Sequence, residues 1–280
     1  MGEIVGAFGL SHAPGITAYP EAAPADQLAT LLAGFARVQR RIAELNPDAI
    51  VVIAPEHWTN FFLDNMPAFC VGLAERYRGP TEDWLRVQRT DVPGHPELAQ
   101  AILEDAMDAG IQPSFAHELK LDHGVMVPLH FSTPAMDVPV VPVILNCLQP
   151  PFPRARACLA FGQSIARTIR RRGERVAVIA SGGLSHWPGS TLHGTINQEW
   201  DRRILDLILS GAGENLSEYS EEEIAEGGTG GQEIRAWITL LGAAGPAPAE
   251  LFAYEAATAF ATGYALVEVK TAGADLGMPP

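Results

Sequence analysis

The sequence predicts an α/β fold, in which a single-domain, three-layer α/β/α arrangement surrounds a central, mostly parallel sheet. Apolar runs rich in β-branched residues, such as Val176–Ala180, have the length and composition of buried strands. They alternate with longer segments whose apolar residues recur three and four positions apart, as in amphipathic helices. Several runs end in turn-forming residues, of which Ser181-Gly182-Gly183 is the clearest case. Because ligands bind beyond the carboxyl ends of the strands in open α/β sheets, we expect the active site at that edge.

The start of the chain predicts a strand–helix–strand unit. Residues 2–10 are an apolar strand, and a tight turn at 11–15 follows. Residues 25–46 carry apolar side chains along one face of a helix, and residues 49–54 form the second strand. A unit of this kind implies two parallel strands joined by a right-handed crossover.

Periodicity, capping residues and turn chemistry predict the remaining elements. Asp122 is expected to cap the helix that follows it, and the arginines at 170–172 suit the C-terminus of a helix. In chain order, the other predicted elements are a strand or hairpin at 61–73 packed over the site, a helix at 93–108, a strand at 138–145, a helix at 154–172, a strand at 176–181, helices at 197–210 and 221–225, a flexible glycine-rich loop at 227–231 that opens a helix at 232–244, and a last strand at 259–269.

Composition limits the functional classes. The 280 residues contain no linker or repeat, so we expect one domain over residues 1–280. The net charge of −14 argues against nucleic acid and anionic membranes, which both require a basic face. Cys70, Cys147 and Cys158 are odd in number and scattered, which predicts reduced thiols. With no basic leader and no long apolar window, the sequence predicts a cytoplasmic protein.

Three predicted strands each deliver a histidine to the same edge of the sheet: His12, His57 and His186. A lone histidine is most often a surface or core side chain, but three at one edge favour a site. Neutral imidazoles with one carboxylate suit a divalent first-row metal. His123 is a further candidate because it follows the predicted capping residue of a helix.

The candidate carboxylate is Glu233, in the predicted first turn of a helix after the glycine-rich loop, where the helix dipole favours an anion. Local sequence alone favours a capping role for it over a role as a ligand. Glu56 competes because it adjoins His57, but adjacent residues on a strand point to opposite sides, which gives Glu56 a supporting position. Two histidines and a carboxylate are typical of non-haem Fe(II) oxygenases, while zinc chemistry stays open. The sequence contains no HExxH, GxGxxG or P-loop motif.

Several short motifs follow one another along the chain. They are Leu10-Ser-His12-Ala-Pro14, Ala54-Pro-Glu-His57-Trp-Thr-Asn-Phe-Phe62, Asp64-Asn-Met-Pro67 with Phe69-Cys70, Asp122-His123-Gly124, Ser181-Gly-Gly-Leu-Ser-His186, Gln232-Glu233-Ile-Arg-Ala-Trp237 and Thr262-Gly263-Tyr264. Single motifs are unspecific, but their order and spacing are specific. Together they resemble the class III (LigB-type) extradiol ring-cleavage dioxygenases, nearest to the 2,3-dihydroxyphenylpropionate branch.

The resemblance implies a role for each candidate residue. His12 and His57 would be the iron-binding histidines, Glu233 the carboxylate ligand, and His123 and His186 an acid–base pair above the substrate. It further implies Fe(II), O2 and a small aromatic diol in aromatic catabolism, with a homo-oligomer expected and a separate small accessory subunit left open. The region 197–231 is shorter than in the nearest branch, so the ring substituent is open. The alternatives are a non-catalytic binding protein of the same fold and a zinc-dependent DOPA-type dioxygenase or hydrolase.

Overall fold

The computed structural model describes residues 1–271, and its central feature is an eight-stranded sheet in the order β6-β3-β7-β2-β8-β1-β10-β9. Two further strands, β4 and β5, form a small antiparallel ribbon. Within these residues the strands are β1 (Glu3–Leu10), β2 (Ala49–Pro55), β3 (Phe69–Gly72), β4 (Arg76–Gly79), β5 (Thr90–Pro93), β6 (Ser114–Ala116), β7 (Val140–Leu145), β8 (Arg175–Ser181), β9 (Ala249–Ala257) and β10 (Thr262–Val269).

The centre of the sheet is parallel, as the apolar runs predict. Strands β7, β2, β8 and β1 pair side by side in the same direction. Strand β2 is buried over its whole length, because helices cover both faces of the sheet. Antiparallel pairs lie towards both edges, where β3 joins β7 and where β10 joins β1 and β9. The predicted fold class is therefore confirmed.

Helices form the two outer layers. One face of the sheet packs against α2 and α4, and the opposite face packs against α3, α5, α6 and α8. Alternate residues of the central strands point to the two faces, so that Val51 and Ile53 lie in one core and Ile50 and Val52 in the other. Within residues 1–271 the α-helices are α1 (Gly15–Ala18), α2 (Ala25–Leu45), α3 (Pro96–Asp108), α4 (His123–Ser132), α5 (Ala155–Arg171), α6 (Gln198–Leu209), α7 (Glu221–Ala225) and α8 (Ile234–Ala244).

The structure differs from the predicted elements at residues 61–73 and in the region before the last strand. The strand or hairpin predicted at 61–73 is a turn followed by β3, because Asp64 and Asn65 favour turns and Pro67 lacks the backbone donor of a strand. Strand β9 was missed, since Ala and Glu are poor strand formers and only pairing with β10 selects this conformation. A short 3₁₀ turn, Thr258–Phe260, therefore precedes the last strand, which begins at Thr262.

The glycine-rich segment 227–231 is packed, which contradicts the flexible loop predicted there. Gly227, Gly228, Gly230 and Gly231 are buried. A Cβ atom added at Gly230 would lie 2.1 Å from Nε2 of His186, and one added at Gly227 would lie 2.8 Å from the Trp200 ring. The glycines therefore allow close approach of the backbone to neighbouring side chains.

The three histidine-bearing strands β2, β8 and β1 are neighbours in the sheet, so their carboxyl ends meet at one point of the edge. A membrane-spanning helix is absent from residues 1–271, where every helix is too short or too polar to traverse the hydrocarbon core. Residues 272–280 lie outside the described part, and a single domain over 1–280 stays a prediction.

Candidate active site

His12 follows the end of β1 and is held by a chain of hydrogen bonds. Its Nδ1 lies 2.7 Å from the hydroxyl of Ser181, which donates to the carbonyl of Gly124 at 2.5 Å. Because the hydroxyl proton is used on that carbonyl, Ser181 accepts from Nδ1–H of His12, which leaves a lone pair on Nε2. His12 is 3% exposed, and burial, opposed by the charge of Glu233, lowers its pKa to about 3. The side chain is thus a neutral imidazole suited to metal binding.

His57 follows the end of β2, and Asp122 holds its ring. Nδ1 of His57 lies 3.0 Å from Oδ2 of Asp122, while Oδ1 of Asp122 accepts from the amide of Gly124 at 2.9 Å. Asp122 therefore caps α4, as predicted, and orients His57. Burial favours the neutral ring, but Asp122 and Glu233 outweigh it and raise the pKa of His57 to about 10. Among residues 1–271, Nε2 of His57 has no hydrogen-bond partner although it is buried.

Glu233 lies at the junction between a 3₁₀ turn, Gly230–Glu233, and α8, of which it is the N-cap residue. Its expected place in the first helical turn is therefore off by one position. Its side chain makes no capping bond and accepts instead from the amide of Gly183 at 2.7 Å. Burial disfavours the ionised carboxylate, but His186 and His12 outweigh it and hold the pKa of Glu233 well below its usual range.

The carboxylate of Glu233 lies between three histidines. Its oxygens are 3.6 Å from Nε2 of His12, 3.6 Å from Nε2 of His57 and 3.4 Å from Nε2 of His186. Ligand atoms about 2.0–2.2 Å from one ion lie roughly 3–3.6 Å apart at the angles of common coordination geometries. The distances from Glu233 to His12 and to His57 lie at the upper end of this range and involve different oxygens of the carboxylate, so a metal shared by these three residues stays a prediction.

His186 and His123 approach the same point from different segments. Nδ1–H of His186 donates to the carbonyl of Leu184 at 2.8 Å, two residues before it in the turn that follows β8. His123 is the first residue of α4, and its Nδ1 lies 2.6 Å from Oε1 of Glu82, which also accepts from the His123 amide at 3.0 Å. The ring centroids of His123 and His57 are 4.1 Å apart. All five predicted residues line one cavity of about 300 Å³.

A different triplet, His12, His57 and His123, also has donor atoms within 4.8 Å of one another. Glu233 stays the predicted third ligand, because an anionic oxygen would offset the charge of the metal and a third neutral nitrogen would not. A second cluster, Glu82 with Asp122 and His123, uses its oxygens in the hydrogen bonds already described. That cluster therefore supports the histidines.

The comparison with protein families decides the classification. A family described as the catalytic LigB subunit of aromatic ring-opening dioxygenase matches residues 6–266. The chain belongs to the LigB family. Curated relatives point the same way, and the chain spans nearly the full length of several of them. The expectation of a class III extradiol ring-cleavage dioxygenase is thereby confirmed, and the alternative of a non-catalytic protein is set aside.

Two LigB relatives share the name 2,3-dihydroxyphenylpropionate/2,3-dihydroxicinnamic acid 1,2-dioxygenase. The Cupriavidus necator protein is 29% identical, over 94% of this chain and 97% of the relative. The Paraburkholderia xenovorans protein is 29% identical, over 84% of this chain and 86% of the relative. The crystal structure of an uncharacterized protein from Escherichia coli K12 aligns with a TM-score of 0.60 at 18% identity, over 84% of this chain and 91% of that one, which supports the fold alone.

Sequence reasoning missed the residues that support the LigB site from a distance. Glu82 lies in the loop after β4, where nothing in the local sequence points to His123. Ser181 was identified only as part of a turn, although its hydroxyl orients His12. Glu56 has the supporting position predicted for it, because one of its oxygens accepts from the amides of Thr59 and Asn60 at 2.5 Å and 2.7 Å. It fixes the turn that contains His57.

His193 had no positional signal in the sequence, yet it lines the cavity of the LigB site. His95 caps α3 by accepting from the amide of Leu98 at 3.3 Å, and His117 is exposed. Chain position therefore separated the central histidines from most of the others, but it could not find a cavity residue carried by an irregular loop.

Gly230→Ala is expected to lower ring-cleavage kcat by about a hundredfold, the typical effect of displacing a reacting group by 1 Å. The new methyl group would overlap the His186 ring, at 2.1 Å from Nε2. Steady-state kinetics and the melting temperature would be measured together. Gly173→Ala is the matched control, since a Cβ atom there meets no neighbouring atom within 4 Å. Normal kcat in Gly230→Ala would mean that His186 can move without loss.

Proposed function

We propose that this enzyme cleaves the ring of a catechol-type diol, next to the two hydroxyl groups, with O2 at a mononuclear Fe(II) held by His12, His57 and Glu233. The arrangement of the five side chains carries the proposal, above all the position of Glu233 between three imidazole Nε2 atoms at 3.4–3.6 Å. Two histidines and one carboxylate would hold the ion and leave coordination positions for substrates.

The ligand residues fit a divalent ion because each is oriented from behind. Ser181 holds His12, Asp122 holds His57, and the amide of Gly183 holds Glu233. Such partners fix the direction of the ligand lone pairs and commonly change metal affinity by about 10–100-fold. When bound, Fe(II) supplies chelation of the two vicinal oxygens of the diol and the redox contact between the diol and O2.

His186 and His123 would move the protons. One histidine accepts a hydroxyl proton from the diol, and the other donates a proton as the O–O bond breaks. Nδ1 of His186 donates to the Leu184 carbonyl and Nδ1 of His123 bonds Glu82, which leaves Nε2 of each ring to exchange protons with substrate. Both oxygen atoms of O2 enter the ring-opened semialdehyde acid.

The proposal extends to partners and compartment. Substrates are a small aromatic diol and O2, the assembly is a homo-oligomer, and the compartment is the cytoplasm. Cys70, Cys147 and Cys158 are buried free thiols, which suits a reducing compartment. The net charge of −14 gives no support to nucleic-acid or anionic-membrane partners.

The direct test is anaerobic purification, metal analysis and O2 uptake on a panel of catechols. We expect one iron per chain, one O2 consumed per diol, and a yellow ring-opened product followed by absorbance. Zinc occupancy with full activity, or hydrolysis without O2 uptake, would overturn the proposal. Chelation followed by separate addition of Fe(II) and Zn(II) distinguishes the metals in one preparation.

Glu82 is proposed as a positioning residue for His123. Burial opposes its ionisation, but its hydrogen bonds from His123 outweigh this and lower the pKa of Glu82. Glu82→Ala is expected to lower kcat by about 10–100-fold with a smaller change in KM, because His123 loses the acceptor that fixes its ring. Glu82→Gln keeps an acceptor oxygen and should restore most of kcat.

The comparison of these two variants separates positioning from general stability. Asp83→Asn is the control, since Asp83 is the exposed neighbour that pairs with Arg89. Equal loss of kcat in Glu82→Ala and Glu82→Gln would contradict a role in orientation, as would a fall in melting temperature that accounts for the lost activity.

A further inference from the structure

The cavity above the histidines has a wall that takes no part in the proposed chemistry. This wall consists of the lining residues that remain when the proposed metal ligands, the acid–base histidines, Gly183 and Thr262 are left out. Six of its residues are apolar: Ala13, Pro14, Pro188, Ala259, Phe260 and Ala261. Two others, Tyr19 and His193, are polar, and the Tyr19 ring packs at a tilt on Phe260 with centroids 6.4 Å apart. A substituent on the catechol ring would therefore meet mainly carbon atoms.

The charge of the site is the second observation. None of the residues that line the cavity within residues 1–271 is an arginine or a lysine. Three carboxylates are concentrated around the cavity: Glu233 in its lining, Asp122 behind His57, and Glu82 behind His123. A bound divalent ion would offset two of these three negative charges, and with the histidines neutral one would remain before the acidic diol enters.

We propose that this enzyme acts on neutral catechols with a small apolar ring substituent in preference to catechols that carry a carboxylate side chain. The inference rests on the proposed function and adds the substrate class. A carboxylate substituent would lose its hydration against the apolar wall, and no cation there would compensate, so its burial would cost free energy. The curated relatives are named for a dihydroxyphenylpropionate, so this chain would differ from them in the charge of its substrate.

The test compares three diols of similar size that differ in the end of the side chain: 3-propylcatechol, 3-(2,3-dihydroxyphenyl)propionate and the primary amide of that acid. The full-length, iron-loaded enzyme is assayed by O2 uptake for kcat/KM. Dissociation constants are measured separately by anaerobic fluorescence titration, which requires no turnover. We expect the propyl and amide compounds to exceed the acid by at least about tenfold in both measurements, because only the acid adds a charge.

A charge added to the wall provides the reverse test. Ala259 is partly exposed in the turn before β10, and it has no part in the proposed chemistry. Ala259→Lys should lower the ratio of kcat/KM for the amide to kcat/KM for the acid by about tenfold, since an opposite charge at close range favours binding of the carboxylate. Ala259→Met, of similar length and uncharged, should leave that ratio as in the wild type.

The outcomes separate the two proposals. Cleavage of all three diols with the acid preferred would overturn the inference and leave the proposed function intact. Preference for the acid is also expected if a partner subunit supplies a cation to the cavity, and it would overturn the inference in that case too. Cleavage of none of the three by iron-loaded enzyme would overturn the proposed function, and the inference with it. If the Ala259 variants fail to fold, the wild-type ratio of amide to acid still decides the inference.

Discussion

Glu233→Ala is expected to reduce bound iron to a small fraction of one ion per chain and to lower ring-cleavage kcat/KM by roughly a thousandfold or more, since metal and positioned substrate are lost together. The carboxylate is the one anion in the proposed ligand set, and its oxygens lie 3.6 Å from Nε2 of His12 and of His57. Without it, the ion would keep only the two imidazole ligands of the proposed set, His12 and His57. Iron content and O2 uptake on one anaerobic preparation give both quantities.

Glu222→Ala is the control for this experiment. Glu222 is an exposed carboxylate in the first turn of α7, in the same part of the chain, and it should leave iron content and rate unchanged. Full iron content in Glu233→Ala would assign the third ligand elsewhere. His123 would then be the leading candidate, since its donor atom is within 4.8 Å of those of His12 and His57.

His186→Ala and His123→Ala are expected to keep iron near the wild-type level while ring cleavage falls by about 10²–10⁴-fold, the usual effect of removing a positioned acid or base. Each ring is held through Nδ1, by the Leu184 carbonyl or by Glu82, so that Nε2 remains to exchange protons with substrate. The rate per iron, measured as turnover divided by metal content, is the quantity that distinguishes proton transfer from metal binding.

His117→Ala is the matched histidine control, because that side chain is exposed and lies outside the cavity. Loss of iron in His186→Ala or His123→Ala would show that the residue is a ligand and that the proposed triad is wrong. A variant that lost thermal stability but kept its rate per iron would instead show a structural role.

Much of the fold could be predicted because its determinants are local. The central strands are apolar on both faces and the helices are amphipathic, so β1, β2, β7 and β8 were predicted to within a few residues. Strand β9 could not be predicted, since its composition suits an edge strand only when β10 lies beside it. The flexible loop predicted at 227–231 was wrong for a related reason. The sequence does not reveal which side chains, such as His186, lie so close that only glycine fits beside them.

The site residues could likewise be predicted only where the sequence carries a local signal. Strand ends singled out His12, His57 and His186, and the resemblance to a known family added the roles of His123 and Glu233. The partners of these residues are fixed only by tertiary structure. The hydroxyl of Ser181 reaches a histidine 169 positions away, and Glu82 lies 41 positions from His123, so neither spacing appears as a local pattern.

The distance along the chain between the proposed ligands has a consequence for folding. The site exists only when β1, β2, β8 and the start of α8 are assembled side by side, and contacts of such high sequence separation form slowly. We therefore expect metal binding to follow assembly of the sheet. It would add stability by mass action, about 2.7 kcal/mol when the free metal is 100 times its dissociation constant. Recovery of bound iron during refolding would accordingly report the last step of assembly, after the helices and the individual strand pairs have formed.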